Sequence, residues 1–189
     1  MKPTQVWHRN GFCLRPAQAG DAEAYFRQNY DPLDPEVARL TGSKSAFSRA
    51  EVTDFFQRCV SREDYCLFLS LSPEGSIIGE TALTDLDPHT KSANFRIALF
   101  HPQYRNAGLG SWMTAATRDF AFGVLGLHRL SLEVFSFNPR AQRVYQKAGF
   151  RREGILRDAV LDGQDYGDII LMSLLEPEWR QLSAPPDLM

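Results

Sequence analysis

The stretch NFRIALFHPQYRNAGLGSWMTAATRDFAFGV, residues 94–124, decides the fold. Its first seven residues are rich in apolar and β-branched side chains and predict a strand. The strand should end at His101-Pro102, because proline donates no backbone N–H. From residue 109 onward, apolar side chains recur at steps of three and four, the pattern of one helix face. They are Leu109, Met113, Ala116, Phe120 and Val124.

The turn between this strand and helix predicts a phosphate site. It reads Arg105-Asn106-Ala107-Gly108-Leu109-Gly110 and is followed by Ser111. The first N–H groups of a helix have no intrahelical partner, and together with the helix dipole they favour an anion. Glycines lack a β-carbon, so a diphosphate can approach the backbone closely. We therefore expect a phosphate-bearing cofactor held mainly by main chain.

Other interpretations of the glycine turn remain open on these residues alone. A dinucleotide fold needs a third glycine where this chain has Met113. A nucleoside-triphosphate loop needs a lysine, which Gly110-Ser111-Trp112 does not offer. Two glycines that only ease a tight turn would account for the turn if it stood alone.

Length and composition are those of an ordinary globular protein. The chain has 189 residues, of which 43% are hydrophobic and 23% charged. We expect one domain spanning residues 1–189, with a loose tail from about residue 182. The net charge of −2 gives no basic field for a nucleic acid, so no nucleic-acid partner is expected.

Sequence also favours a cytoplasmic protein without a membrane partner or a metal. No apolar run approaches the about 20 residues that span a bilayer, and the first residues contain no signal-peptide core. Three cysteines are an odd number without metal or redox spacing, so free thiols are expected. The four histidines show no ligand spacing either. These residues are Cys13, Cys59, Cys66, His8, His89, His101 and His128.

The remaining patterns predict an α/β (α+β) fold with a mixed, mostly antiparallel sheet of about seven strands and helices on both faces. Predicted strands cover residues 12–15, 65–71, 76–86, 94–100, 129–135, 150–160 and 166–175. Predicted helices include 22–28, with Asp21 as its cap, and a short one around 37–41. A capping box of Ser48 and Glu51 begins another helix, and Asn138-Pro139 begins the last.

Two blocks together resemble the GNAT superfamily of N-acetyltransferases. Arg105-x-x-Gly108-x-Gly110 after a strand resembles its acetyl-coenzyme A signature. The segments 132–141 (LEVFSFNPRA) and 144–150 (VYQKAGF) resemble its second conserved block. Leu14-Arg15-Pro16, Asp21 and Ile78-Gly79-Glu80 are similar to the branch that acetylates ribosomal-protein N-termini. One departure is Ala107, where the family often has a basic residue, which implies more reliance on Arg105 and on backbone N–H groups.

The resemblance implies a sheet with a V-shaped split between central strands, and acetyl-coenzyme A bound there without a metal. Cofactor contacts are implied at Ile97, Ala98, Leu99, Arg105, Asn106, Ala107, Gly108, Leu109, Gly110, Ser111 and Asn138. Asn138 is equally a helix cap. Glu133 is implied as the general base and Tyr145 as the general acid of direct transfer in a ternary complex. Glu80 is a second base candidate.

The acceptor implied by the branch resemblance is a protein N-terminal α-amine. A polyamine or an aminoglycoside is the alternative, because Asp31, Asp34 and Glu36 could attract a cation. A non-catalytic acyl-coenzyme A sensor is an alternative of another class, although it would need neither Glu133 nor Tyr145. A monomer or a homodimer is expected.

Overall fold

The computed structural model describes residues 3–183, which form one eight-stranded sheet with helices on both faces. The strands are β1 Trp7–Arg9, β2 Phe12–Pro16, β3 Cys66–Leu71, β4 Ile77–Asp87, β5 Ser92–Leu99, β6 Arg129–Phe135, β7 Arg151–Asp162 and β8 Asp165–Leu175. The helices are α1 Ala22–Asn29, α2 Pro35–Thr41, α3 Arg49–Ser61, α4 Leu109–Gly123, α5 Pro139–Lys147 and α6 Glu176–Ser183. The strand order is β1-β2-β3-β4-β5-β6-β8-β7.

The sheet splits between β5 and β6, the only parallel pair among these strands. Pairing runs from Ser92 opposite Arg129 to Asn94 opposite Ser131 and then stops. Beyond that point β5 stays paired with β4 as far as Leu99, and β6 stays paired with β8. The two strands therefore diverge, which confirms the predicted V-shaped opening.

Two apolar cores hold the helices against opposite faces of the sheet. Met113 and Phe120 of α4 pack in a cluster with Phe68 of β3. On the other face, Tyr25 of α1 and Phe56 of α3 pack in a second cluster. All five side chains are almost fully buried. The predicted capping box of α3 is confirmed, and the cysteines are free, with Cys13 half-buried and the other two buried.

The sheet has one strand more than predicted, because β1 pairs with β2 at the edge. Three residues are too few for a periodic signal, and the strand is fixed by packing instead. The ring of Trp7 makes edge contacts with Phe68 and Phe120, with ring centroids 5.4 Å and 6.1 Å apart.

One further prediction on local structure was wrong. The carboxylate of Asp21 does not cap α1: it accepts from the Gln18 N–H and pairs with Arg15 at 2.8 Å. The chain from Glu176 to Ser183 is helix α6. Residues 184–189 of the predicted tail lie outside the described part of the chain. Within residues 3–183, no helix is long and apolar enough to cross a membrane.

Candidate active site

The glycine turn ends in a helix start with free amide groups. Gly108 is the N-cap residue of α4 and has φ of 76°, a left-handed conformation that favours glycine. The first helical bond runs from the Trp112 N–H to the Gly108 carbonyl. The amides of Leu109, Gly110 and Ser111 therefore precede the helical ladder, as an anion site requires.

These amides open onto a cleft of about 680 Å³ between the diverging strands. The cleft brings together most of the predicted site: Glu80, Ile97, Ala98, Leu99, Arg105, Asn106, Gly108, Gly110, Ser111, Glu133, Asn138 and Tyr145. Ala107 and Leu109 are not part of its lining; Leu109 is buried in the core instead. Residues separated by up to 65 positions therefore meet at one opening.

Arg105 lines the cleft, and its charge is paired within the protein. Its side chain is only 7% exposed and pairs with Asp34 at 2.9 Å and with Glu36. The same guanidinium faces the carbonyls of Leu99 and Phe100 at 3.4 Å. Binding a diphosphate through this side chain would break those contacts. In this structure Arg105 links the glycine turn to α2 through ion pairs.

Tyr145 comes from the inner face of α5, and its position is set by aromatic packing. Its ring makes edge contacts with Phe95 and Phe150, with ring centroids 6.2 Å and 6.1 Å apart. Among residues 3–183 the buried polar side-chain atoms without a partner are Asn29 Oδ1, Ser70 Oγ and Ser72 Oγ. The Tyr145 hydroxyl is not one of them and forms no hydrogen bond there, so its oxygen keeps some contact with solvent, and Tyr145 lines the cleft. Burial raises the pKa of Tyr145, which keeps the hydroxyl protonated.

Asn138 has the structural role that its sequence position allowed. Its Oδ1 accepts from the Ala141 N–H at 3.1 Å and caps α5. Asn138 can cap α5 and line the cleft at the same time, because it also borders the opening. A cofactor contact by Asn138 stays a prediction.

Glu80 is held on the opposite arm of the cleft by a tyrosine. Its carboxylate accepts from the Tyr25 hydroxyl at 2.6 Å, and Tyr25 lies 3.1 Å from the Tyr30 hydroxyl. Burial raises the pKa of Glu80, with the hydrogen bond from Tyr25 acting in the other direction. In the sheet Glu80 stands opposite Ala98, at the middle of the segment predicted to hold the cofactor.

Glu133 lines the cleft from β6, two residues beyond the last residue paired with β5. It is exposed and, within the described chain, forms no salt bridge. Its carboxylate is therefore not committed to an ion pair. The cleft thus presents two carboxylates from opposite arms.

Sequence reasoning missed the cations of the cleft. Arg96 lines it from β5, and Arg140, Arg143 and Lys147 line it from α5. The α5 residues are spaced by three and four, so they lie on one flank of the helix, next to the face of Tyr145. That spacing was visible in the sequence and could have identified them. They supply positive charge to the cleft, whereas Ala107 stands where the family often has a basic residue.

The acidic loop proposed for a cationic substrate is largely committed to the protein itself. Asp34 accepts from the Val37 N–H at 3.0 Å, caps α2, and pairs with Arg105. Glu36 pairs with Arg105 and also lies 3.3 Å from Arg140. In the described part of the chain, no group of three or more His, Cys, Asp or Glu residues could hold a metal ion.

Comparison with known proteins gives this arrangement a family. Residues 12–151 match the model of the acetyltransferase (GNAT) domain. An uncharacterized SPbeta prophage-derived N-acetyltransferase of Bacillus subtilis (strain 168) is 25% identical over 176 residues, covering 92% of this chain and 95% of that protein. A spermidine N(1)-acetyltransferase of Vibrio cholerae is 27% identical over 116 residues, covering 61% of this chain and 66% of that protein.

Solved structures agree on the fold. The spermidine N-acetyltransferase of Vibrio cholerae, in complex with CoA and spermine, superposes with a TM-score of 0.80 at 22% identity, covering 91% of this chain and 99% of that chain. A candidate ribosomal N-acetyltransferase of Bacillus subtilis (strain 168) is a more partial match, 28% identical over 110 residues and covering 57% of this chain and 58% of that protein. The split sheet, the amide-lined turn and the family match lead to one conclusion: the chain belongs to the GNAT family and is an acetyl-coenzyme A-dependent N-acetyltransferase.

Proposed function

We propose that the enzyme acetylates a primary amine of a small polyamine. Two of the proteins reported above are spermidine acetyltransferases by name, which supports the polyamine alternative over the protein N-terminus first expected from sequence. The observation that carries the chemistry is the meeting of Glu80, Glu133 and Tyr145 at one cleft.

A base is needed because the acceptor amine is protonated at neutral pH. An alkylamine with a pKa of about 10.4 costs roughly 4–5 kcal/mol to neutralise at pH 7. Glu80 and Glu133 are the two carboxylates that border the reacting space, and either could take the proton directly or through one water. Glu80 is the stronger candidate, because its raised pKa makes it the better proton acceptor.

The leaving thiolate needs a proton donor. Tyr145 lines the cleft and its hydroxyl keeps its proton at working pH, so we propose that it donates to the sulfur as the tetrahedral intermediate collapses. The amine attacks the thioester carbonyl directly, and the acetyl group passes to nitrogen while the thiol is released. The cleft lining includes no cysteine among the described residues, which supports transfer without an acyl-enzyme.

The cofactor is proposed to lie along β5 and over the glycine turn. Backbone groups of residues 97–99 face the opening where β6 has diverged, so the pantetheine arm can add as a strand would. The diphosphate would meet the amides of residues 109–111, with Arg140 and Arg143 nearby. Asn138 stays a proposed contact to the same arm.

A protein N-terminal α-amine is the second candidate acceptor. It is favoured by the partial match to a candidate ribosomal acetyltransferase. It is also chemically easier, because an α-amine with a pKa near 8 costs only about 1 kcal/mol to neutralise at pH 7. In that case positioning would matter more than the base.

Release of coenzyme A thiol in the presence of an amine panel tests the proposal. Spermidine and spermine should give turnover well above that of an Ala- or Ser-initiated peptide at equal concentration. Faster turnover with the peptide would replace the polyamine by the N-terminal amine. Binding of acetyl-coenzyme A without turnover on any amine would favour a sensor.

The domain extent, assembly and compartment are proposals of the same kind. We propose a single acetyltransferase domain over residues 1–189 that acts in the cytoplasm as a monomer or homodimer. One spermidine acetyltransferase of Vibrio cholerae is described as dodecameric. Light scattering of the purified chain distinguishes these assemblies, and a mass near twelve chains would contradict the proposal.

A further inference from the structure

Arg140, one of the positively charged side chains that line the cleft, also contacts the carboxylate of Glu36, which has no proposed role in the reaction. Arg140, in the first turn of α5, lines the same opening as Gly108, Gly110 and Ser111. Its guanidinium also lies 3.3 Å from Glu36, in the first turn of α2. The two side chains are 39% and 46% exposed, so water screens the pair. This exposed contact joins α2 to α5 across the split.

Helix α2 is held at both ends by ion pairs. Near its start, Asp34 and Glu36 pair with Arg105 of the glycine turn. Near its end, Arg39 donates to both oxygens of Asp162 in the β7–β8 hairpin. Between these ends, Val37, Leu40 and Thr41 line the cleft. A change in the ion pairs of Glu36 is therefore expected to affect the part of the cleft wall that α2 forms.

The guanidinium of Arg140 could bind either Glu36 or a phosphate of coenzyme A. Arginine binds phosphate in a bidentate manner, and a charge-assisted bond to phosphate is stronger than an exposed pair with a carboxylate. A diphosphate on the amides of the turn would lie within the space that Arg140 borders. Arg105 cannot take the same part, because its guanidinium is buried between Asp34, Glu36 and backbone carbonyls.

We propose that Arg140 exchanges Glu36 for a phosphate of coenzyme A when the cofactor binds. Glu36 keeps its pair with Arg105 but loses the charge of Arg140, so the cleft wall formed by α2 becomes more negative. Cofactor binding should therefore raise the affinity for a cationic amine, and by linkage the amine should raise the affinity for the cofactor. This second half rests on the proposed polyamine acceptor; the exchange at Arg140 does not.

A double-mutant cycle on coenzyme A binding, measured by calorimetry, tests the exchange. Arg140→Gln should weaken binding about ten-fold or more, the size of a lost charge-assisted bond. Glu36→Gln should tighten binding about three-fold, because an exposed pair no longer has to be broken. In the Arg140→Gln background, Glu36→Gln should change the Kd by less than about 1.5-fold. Equal tightening in both backgrounds would overturn the exchange, since Glu36 would then act only as a distant charge.

Asp162→Asn is the matched control, because it loosens the other end of α2 without touching Arg140. Coenzyme A affinity should be unchanged in this variant. A three-fold effect here would mean that loosening α2 is sufficient, and the exchange would be wrong.

The acceptor half is tested separately by the Kd of spermidine with and without coenzyme A. The natural chain should bind spermidine more tightly with the cofactor present, and Glu36→Gln should lose that gain. No spermidine binding in either state would overturn the polyamine acceptor, whereas the calorimetric cycle would still decide the exchange.

Discussion

The two side chains proposed as acid and base differ in their surroundings. Tyr145 packs on the rings of Phe95 and Phe150 and lines the cleft, and burial raises its pKa. Glu80 lies on the other arm with the Tyr25 hydroxyl 2.6 Å away. A donor that stays protonated and a carboxylate with a raised pKa are suited to acid and base roles.

Replacing Tyr145 by Phe should lower kcat about 100-fold or more, the usual contribution of a positioned acid. The ring and its packing on Phe95 and Phe150 remain, so coenzyme A affinity should stay within about two-fold. Steady-state kinetics and calorimetry on the same preparation measure both. An unchanged kcat would remove Tyr145 from the reaction.

Replacing Glu80 by Gln should lower kcat and raise the melting temperature at pH 8. Burial raises the folded-state pKa of Glu80, so its ionised form costs folding free energy above that pKa and nothing below the unfolded pKa of about 4.3. The gain in melting temperature should therefore disappear by pH 4. Scanning calorimetry at the two pH values measures it.

Glu133→Gln serves as the matched control for this comparison. Glu133 is exposed and unpaired within the described chain, so its replacement should leave the melting temperature unchanged at both pH values. If Glu133→Gln loses more activity than Glu80→Gln, the base is Glu133, as the family resemblance implied.

At the scale of elements, close pairing with β4 fixes the position of β5, the strand proposed to bind the cofactor. A β-carbon added at Gly79 would lie 2.7 Å from the Ala98 carbonyl oxygen and 2.8 Å from Leu99 Cδ2. Real β-carbons do not approach backbone so closely, so the strand would have to move. This glycine is required by contact between strands, whereas Gly108 is required by its left-handed φ.

Gly79→Ala should therefore push β5 away and weaken coenzyme A binding several-fold. Overpacking of this kind typically costs about 1–3 kcal/mol of stability. Calorimetry and urea unfolding check the two effects. Gly20→Ala is the control, because no atom lies within 4 Å of its added β-carbon. Normal coenzyme A binding by Gly79→Ala would contradict the role of β5 in holding the cofactor.

Helix α6 stabilises the fold from outside the matched domain. The indole of Trp179 stacks on Phe122 at 5.5 Å and donates to Asp119 at 2.7 Å. Trp179→Ala should cost about 2 kcal/mol in urea unfolding, less than for a fully buried ring. Arg180→Ala, on the exposed side of α6, should stay within about 0.5 kcal/mol. Equal effects of the two variants would mean that α6 does not dock through its indole.

At the scale of the whole molecule, the candidate active site is the gap between two halves of one sheet. The halves share three residue pairs of β5 and β6, and α2 adds ion pairs on either side of the opening. A ligand that contacts both β5 and α5 should therefore stabilise the folded arrangement of the two halves.

Coenzyme A at 100 times its Kd should stabilise the folded protein by about 2.7 kcal/mol. For a chain of this size that corresponds to a rise in melting temperature of roughly 5–10 °C. Adenosine, which lacks the diphosphate, should give almost no shift at the same concentration. An equal shift with adenosine would show that the glycine turn is not what holds the cofactor.

The chain's local patterns determined much of the fold. The strand, glycine turn and helix of residues 94–124 were readable because periodicity and glycine conformation act over a few residues. The Ser48 capping box and the hairpin of β7 and β8 were predicted for the same reason. Tyr145 and Glu133 were found through motif resemblance, and the structure brings both to the cleft.

Only the tertiary structure shows which charged side chains are paired within the protein and which are not. Arg105 meets Asp34 and Glu36, which precede it by 71 and 69 positions, and Glu80 meets Tyr25 across 55 positions. Strand β1 and helix α6 likewise depend on the packing of Trp7 and Trp179. Short elements and ion pairs are stabilised by distant surfaces, and such contacts leave no periodic signal in the residues that make them.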